Sequence, residues 1–287
     1  MHTLAIDIGG TKIALGLFED GKMRSRRQLA TPIATNTIIF AEEILEHCQD
    51  WLEVVDNIGI STTGLVTPEG ISAINPDTLD FPTPFPLHTA LNAITQKPVE
   101  MLNDAQAAAW FEYRQLQNRY QNIAYITVST GVGGGIVLDG KLLKGASNLA
   151  GHVGHTVLSL SGPECGCGQR GCVEAMASGT AIHKAALEVF DETISNIELF
   201  ELAEKDLAAD HLICQSAAAI ATLCCNLKAS LDLDVVVLGG GIGLAKRYLQ
   251  RVEHHISQKP AVFQVPIIRA KGDYDACLYG AAQQFQE

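Results

Sequence analysis

The sequence predicts an α/β protein built from two similar lobes. Three observations carry that prediction. Short apolar strands alternate with helical stretches, a unit of strand, glycine break, strand and turn occurs twice, and 287 residues suffice for two buried cores. In the first unit Thr3 to Ile8 read as a strand that breaks at Gly9-Gly10, resumes over Ile13 to Phe18 and turns at Asp20-Gly21, a strong hairpin signal. In the second, Ile123 to Val128 is a strand, Gly131 to Gly135 a glycine loop and Ile136 to Leu138 a strand, and Asp139-Gly140-Lys141 repeats Asp20-Gly21-Lys22.

Between and after these hairpins the pattern alternates. Phe40, Ile44, Cys48 and Trp51 share one helical face, Ile58 to Ser61 is a short strand, and Ala105 to Tyr113 is a helix. The stretch from Pro76 to Pro86 reads as an ordered loop over a cleft. A long helix fills Leu212 to Leu231, and Val235 to Leu238 is a buried strand that ends in Gly239-Gly240-Gly241. A helix-like stretch from Leu244 to Ile256 follows. The expected lobes are residues 1–105, completed by a helix over 275–287, and residues 106–274.

Composition excludes several classes of function. A formal charge of −12 repels nucleic-acid phosphate, no Lys/Arg cluster offers a counter-patch, and Arg24, Arg26 and Arg27 read as a solvated strand end. No apolar run approaches bilayer length, and the amino terminus runs into Leu4-Ala5-Ile6 without a basic flank, so a soluble, cytoplasmic protein is expected. Eight cysteines without a secretion signal then imply reduced thiols. Cys48, Cys214, Cys224, Cys225 and Cys277 sit among apolar residues as small core hydrophobes.

The chemistry is concentrated in four places. Asp7-Ile8-Gly9-Gly10-Thr11-Lys12 sets a carboxylate at a strand end, then glycines that let backbone N–H groups approach phosphate, then a hydroxyl and a cation. Ser129-Thr130-Gly131-Val132-Gly133-Gly134-Gly135 offers a similar cradle. Gly240 and Gly241, at a strand-to-helix junction, suit a purine or ribose. Three glycine breaks after three strands point to ATP, although none matches the Walker pattern. His155 with Cys165, Cys167 and Cys172 has the composition of a closed, structural four-ligand zinc site.

With these motifs in view, the chain resembles the ROK family of sugar kinases and repressors, with matches spread from Asp7 to Gly243. The resemblance implies an actin-like (ribonuclease H-like) fold, two α/β lobes around an ATP and sugar cleft. It implies that Asp104, in Asn103-Asp104, is the general base that takes the proton of a sugar 6-hydroxyl as its oxygen attacks the γ-phosphate of MgATP. Asp7 would act through Mg2+ and its waters, and Thr11, Lys12, Thr130 and Gly131 would line the phosphates. By the same resemblance His155 both ligates Zn2+ and contacts sugar, and Glu174 binds near the anomeric end. Asn103 contacts a ring hydroxyl, and Thr63-Gly64 and Asn75 complete the pocket.

One departure concerns substrate. His152 stands where most family kinases carry a sugar-binding glutamate, and the run from Ala150 to Thr156 resembles bacterial members that act on N-acetylmannosamine. The resemblance therefore implies an amino sugar as substrate, sialic acid breakdown as setting and a homodimer as assembly, with no nucleic acid and no membrane partner. Glucose, N-acetylglucosamine and free mannosamine stay open as substrates. The family's repressors carry a helix-turn-helix module ahead of the first phosphate loop, for which Asp7 leaves no room. A non-catalytic sensor would lose the base, and Asp104 is present.

Overall fold

The computed structural model describes residues 1–33, 36–75, 81–117, 119–190, 193–272 and 274–286, so residues 76–80 of the proline-rich stretch lie outside the described residues. The chain divides into two compact units. One comprises Met1–Phe111, Lys144–Leu149 and Gly272–Glu287, and the other Glu112–Leu143 and Ala150–Lys271.

The first unit is built on strands β1 (His2–Ile8), β2 (Lys12–Glu19), β3 (Lys22–Ala30), β4 (Asn57–Thr62) and β7 (Val99–Asn103), with a small hairpin of β5 (Leu65–Thr67) and β6 (Gly70–Ser72). The sheet order is β3-β2-β1-β4-β7. β1, β2 and β3 are antiparallel neighbours, whereas β1, β4 and β7 run parallel. Asp20 and Gly21 turn the β2–β3 hairpin with φ of 48° and 77°, the positive pair a two-residue turn of this type requires. Alternation sends Leu4, Ile6, Ile8, Ile13, Leu15, Ile58 and Ile60 into one core. There they meet Phe40 and Ile44 of helix α1 (Thr37–Glu46) and Leu87 and Leu91 of α2 (Leu87–Thr95).

Helix α1 is shorter than its apolar spacing predicts. It ends at Glu46, and Cys48 and Trp51 lie beyond it, Trp51 in a single 3-10 turn over Gln49–Trp51. Both are still buried in the same core. Arg27 of β3 accounts for the early stop. Its guanidinium donates to the His47 carbonyl at 2.8 Å and to both Asp50 oxygens at 2.6 and 2.7 Å, and it lies 4.2 Å over the Trp51 ring.

Helix α3 (Asp104–Gln115) follows β7 directly, and the division between the units falls within it. The second sheet joins β8 (Ile123–Val128), β9 (Val132–Leu138), β10 (Lys141–Leu142), β11 (Val235–Gly239) and β12 (Ile267–Arg269) in the order β10-β9-β8-β11-β12. The pairing senses are those of the first sheet, antiparallel across β8, β9 and β10 and parallel across β8, β11 and β12. Asp139 and Gly140 repeat the turn, with φ of 49° and 73°. The repeat read from the sequence is therefore a repeat of topology. One expectation needs correction: Gly133, Gly134 and Gly135 are not loop residues but lie in β9, paired with Thr127, Ile126 and Tyr125 of β8.

Helices α4 (Val173–Ala177), α5 (Gly179–Phe190), α6 (Asn196–Leu202), α7 (Leu207–Leu231) and α8 (Tyr248–Ser257) complete this unit. The helix expected from Leu244 begins only at Tyr248, because the chain first turns back over the end of β8. Ile242 and Gly243 both donate to the Val128 carbonyl, at 2.9 and 3.1 Å. Contrary to the sequence expectation, α7 is long and apolar enough to cross a bilayer by length and composition. It is the central core helix of the unit, with Leu212, Ile213, Ala217, Ile220 and Leu223 packed among Ile126, Val128 and Leu238.

The chain then returns to the first unit as α9 (Ala276–Ala282), whose Leu278, Ala281 and Ala282 pack on Ala5, Ala14 and Phe18, the face of the first sheet opposite α1 and α2. Gly59 permits that approach, since a Cβ there would lie 2.1 Å from the Ala281 carbonyl oxygen. The three arginines of β3 are each paired with an acid. Arg24 pairs with Glu19 at 2.7 Å, Arg26 with Asp275 at 2.9 Å and Arg27 with Asp50.

Candidate functional site

In the first unit, strand alternation decides which side chains meet. Asp7 lies on the α9 face of β1, two residues beyond Ala5, and Ser61 stands opposite it in the β1–β4 register. β7 ends at Asn103, and α3 opens at Asp104. Carboxylates are thus delivered to the C-terminal ends of two parallel strands, β1 and β7, that flank β4, where ligands collect in α/β sheets. Burial raises the Asp7 carboxyl from its ordinary range to about 6. The Ser61 hydroxyl opposes the rise, Asp104 and Asp275 add repulsion, and Arg26 relieves part of it.

The break after β1 is held by its own backbone. Gly9 N–H donates to the Lys12 carbonyl at 2.9 Å, and the Thr31 hydroxyl donates to the Gly9 carbonyl at 2.7 Å. Gly10, Thr11 and Lys12 are exposed, and a Cβ at Gly10 would meet nothing within 4 Å, which leaves room for a phosphate to approach the backbone. Asn103 is buried and busy. Its amide donates to the Gly64 carbonyl at 2.9 Å and its oxygen accepts from Ala105 N–H at 3.0 Å. It is Asn103, then, that caps the start of α3, with the Asp104 carboxylate also accepting from Ala105 N–H at 2.7 Å. Asn75 is partly buried just after β6. Sequence reasoning missed two neighbours. Ser61 was findable as the last buried polar residue but one of β4. Cys277, whose thiol donates to the Asp104 carbonyl at 3.5 Å, reaches that place from α9 and leaves no local signal.

In the second unit the loop over Ser129–Gly131 follows β8, and the turn over Gly240–Gly243, which follows the neighbouring β11, bonds to the end of β8 at Val128. A Cβ at Gly241 would find open space. The glycines of β9 serve a different purpose. A Cβ at Gly134 would lie 2.6 Å from the Val153 side chain, and one at Gly154 would lie 1.9 Å from the Val132 carbonyl oxygen. Their absence lets residues 151–155, which carry His152 and His155, lie against β9. Glu174 lies in the first turn of α4 and accepts from Val132 N–H at 3.0 Å. Thr130, Gly131, Val132, His152, His155, Glu174, Gly240 and Gly241 all belong to this unit, and Asp7, Gly64, Asn75, Asn103 and Asp104 to the other.

The metal ligands expected from sequence are assembled. The ligand atoms of His155, Cys165, Cys167 and Cys172 all lie within 4.8 Å of one another. A tight turn in which Gly168 N–H donates to the Cys165 carbonyl at 2.9 Å, and a bridge pairing Val157 with Cys172, bring them together. Cys165 Sγ lies 3.6 Å from His155 Nδ1 and Cys167 Sγ 3.8 Å from Cys172 Sγ. Zinc bonds of about 2.3 Å to sulfur and about 2.0 Å to nitrogen give tetrahedral edges of about 3.5–3.8 Å, so the spacing fits such an ion. Burial, then the neighbouring thiols, pushes Cys172 up to about 12, and burial lowers His155, which keeps its imidazole neutral for ligation.

Two five-stranded sheets of identical topology, each with glycine breaks beyond its first strand, define an actin-like α/β protein. The chain belongs to the ROK family, whose model matches residues 3–287. It is 60% identical over 287 residues to the N-acetylmannosamine kinase of Vibrio cholerae serotype O1, covering all of both chains. Among solved structures it is similar to the ROK hexokinase of Thermus thermophilus, with a TM-score of 0.86, 34% identity, and 98% and 97% of the two chains covered. A ROK glucokinase of Streptomyces griseus, solved with glucose and AMPPNP, matches with a TM-score of 0.78, 28% identity, and 99% and 98% covered.

Proposed function

We propose that the protein phosphorylates N-acetyl-D-mannosamine at its 6-hydroxyl, using ATP and giving ADP, in the degradation of sialic acid. The observation that carries this reading is the full-length 60% identity to an N-acetylmannosamine kinase, supported by a metal quartet set two residues before Glu174. Asp104 accepts the proton of the attacking hydroxyl, a contribution of about 10²- to 10⁴-fold. The loops at Gly9–Lys12 and Ser129–Gly131 hold the phosphates and orient the transferring group, which carries most of the remaining catalysis. Magnesium bound with the nucleotide would offset phosphate charge, and Asp7 would hold it through water. Zn2+ would be held by His155, Cys165, Cys167 and Cys172 as a structural ion, since protein fills all four positions.

Sugar recognition falls to Gly64, Asn75, Asn103, His152, His155 and Glu174. His152 would give the 2-acetamido group a neutral or titratable partner in place of a carboxylate. A reduced, cytoplasmic setting suits the free thiols and the nucleotide, and a homodimer is the assembly we infer, to be checked by sedimentation. The primary test is ADP release in a coupled assay with MgATP across N-acetylmannosamine, N-acetylglucosamine, mannose and glucose. Preference for N-acetylmannosamine supports the reading. Preference for glucose or N-acetylglucosamine replaces the substrate but keeps the kinase, and no turnover with any sugar favours a sensor.

A further inference from the structure

The segment that follows the metal ligand Cys172 grips the Ser129–Gly131 loop residue by residue. Gly179 N–H donates to the Ser129 carbonyl at 2.7 Å. The Thr130 carbonyl takes two donors from one residue, the Thr180 N–H at 3.2 Å and the Thr180 hydroxyl at 2.9 Å. Beyond the loop, Glu174 accepts from Val132 N–H at 3.0 Å. The gripping segment is itself anchored. The Ser178 hydroxyl accepts from Ala181 N–H at 3.1 Å, and the Asn196 amide donates to the Gly179 carbonyl at 2.9 Å.

A trans peptide carries its N–H opposite its C=O. Holding the carbonyls of Ser129 and Thr130 against the start of α5 therefore aims the N–H groups of Thr130 and Gly131 out on the other side of the loop. Those are the donors a phosphate oxygen would use, and fixing them beforehand removes reorganisation when the nucleotide binds. The bond from Thr180 N–H comes from the backbone, and any residue there would supply it. The hydroxyl is what the side chain adds, and Thr180 is exposed, so it contributes nothing to core packing.

We propose that Thr180 is a positioning residue for nucleotide binding, setting the direction of the Gly131 N–H through the Thr130 carbonyl. This rests on the reading that the Ser129–Gly131 loop takes ATP phosphates. It departs from the role of the metal as a support for the sugar pocket alone, because the strip from Cys172 to Thr180 ties that region to the nucleotide loop by continuous chain.

The test uses the purified zinc-loaded enzyme and its T180V, T180S and T130A variants, with MgATP titrated at saturating sugar and sugar titrated at saturating MgATP. T180V, which keeps shape and removes the hydroxyl, should raise the KM for ATP about three- to tenfold, the effect of one hydroxyl-to-carbonyl bond. The KM for sugar should stay unchanged. T180S should restore the wild-type KM for ATP. A T180V enzyme with wild-type KM for ATP, or one in which the two KM values rise together, overturns the proposal. T130A separates the two layers. If it raises the KM for ATP while T180V does not, the loop reading stands and the brace fails, and if neither variant moves it, both fail. An effect of T180V alone supports the proposal, with the loop acting through its backbone.

Discussion

Asp7 is held in the fold as a carboxylate that would rather be neutral, and replacing it by Asn exposes how much that costs. Its proton affinity in the folded state is raised from an ordinary aspartate value near 3.8 to about 6. At about 1.4 kcal/mol for each tenfold in affinity, the difference is about 3 kcal/mol. The sign follows from linkage. A carboxyl whose folded value lies above its unfolded one contributes stability that is complete below the unfolded value, near 3.8, and is lost progressively until pH passes the folded value of about 6. At about pH 3 and below, the two proteins should therefore differ little, and by about pH 5 roughly half of the gap should have opened. By pH 8 the Asp7→Asn protein should be more stable by up to about 3 kcal/mol, or roughly 6–10 °C in melting temperature. The assay is thermal or urea unfolding at a series of pH values, without magnesium or nucleotide, since either would stabilise the wild type by mass action. The same variant should lose turnover. A stability gap that does not widen with pH, or a mutant less stable than wild type at pH 8, would refute the reasoning that burial and neighbouring acids dominate at Asp7.

Asp104→Asn should leave unfolding and metal content unchanged while kcat falls by about 10²- to 10⁴-fold, and retained turnover would mean that another group is the base. Cys165→Ser should lower zinc content and melting temperature together, and should raise the KM for ATP as well as for sugar. Normal kinetics in a metal-free protein would sink the structural role. Gly280→Ala should destabilise by about 3 kcal/mol or more, measured by urea unfolding, because a Cβ there would lie 1.9 Å from the Ala107 carbonyl oxygen with backbone on both sides. A variant as stable as wild type would show that α9 and α3 can part freely.

The features that were legible in the sequence are those that local chemistry dictates. Asp-Gly turns require positive φ twice in succession, and both appear where the sequence places them. The quartet of His155, Cys165, Cys167 and Cys172 assembles within one short segment, so its geometry needs little from the rest of the fold. Glycine was the residue most easily misread. At Gly134 the missing side chain serves a strand that must accept residues 151–155 at backbone distance, and a single sequence cannot distinguish that need from a phosphate loop. What stayed hidden depends on long-range register. Ser61 meets Asp7 only because β4 pairs with β1 in parallel, Cys277 arrives from a helix 173 residues beyond Asp104, and Thr180 acts through a carbonyl 50 residues away.

The dependence of the first sheet on α9 also sets an order of events during synthesis. Residues 112–271 contain every strand of the second sheet, so that unit can close as soon as they leave the ribosome. The first sheet is translated earlier, but the face bearing Ala5, Ala14, Phe18 and Asp7 stays uncovered until residues 276–282 emerge. For most of translation the first sheet must therefore wait with an apolar face open to water. A ribosome that stalls late would leave one finished unit joined to one that cannot close.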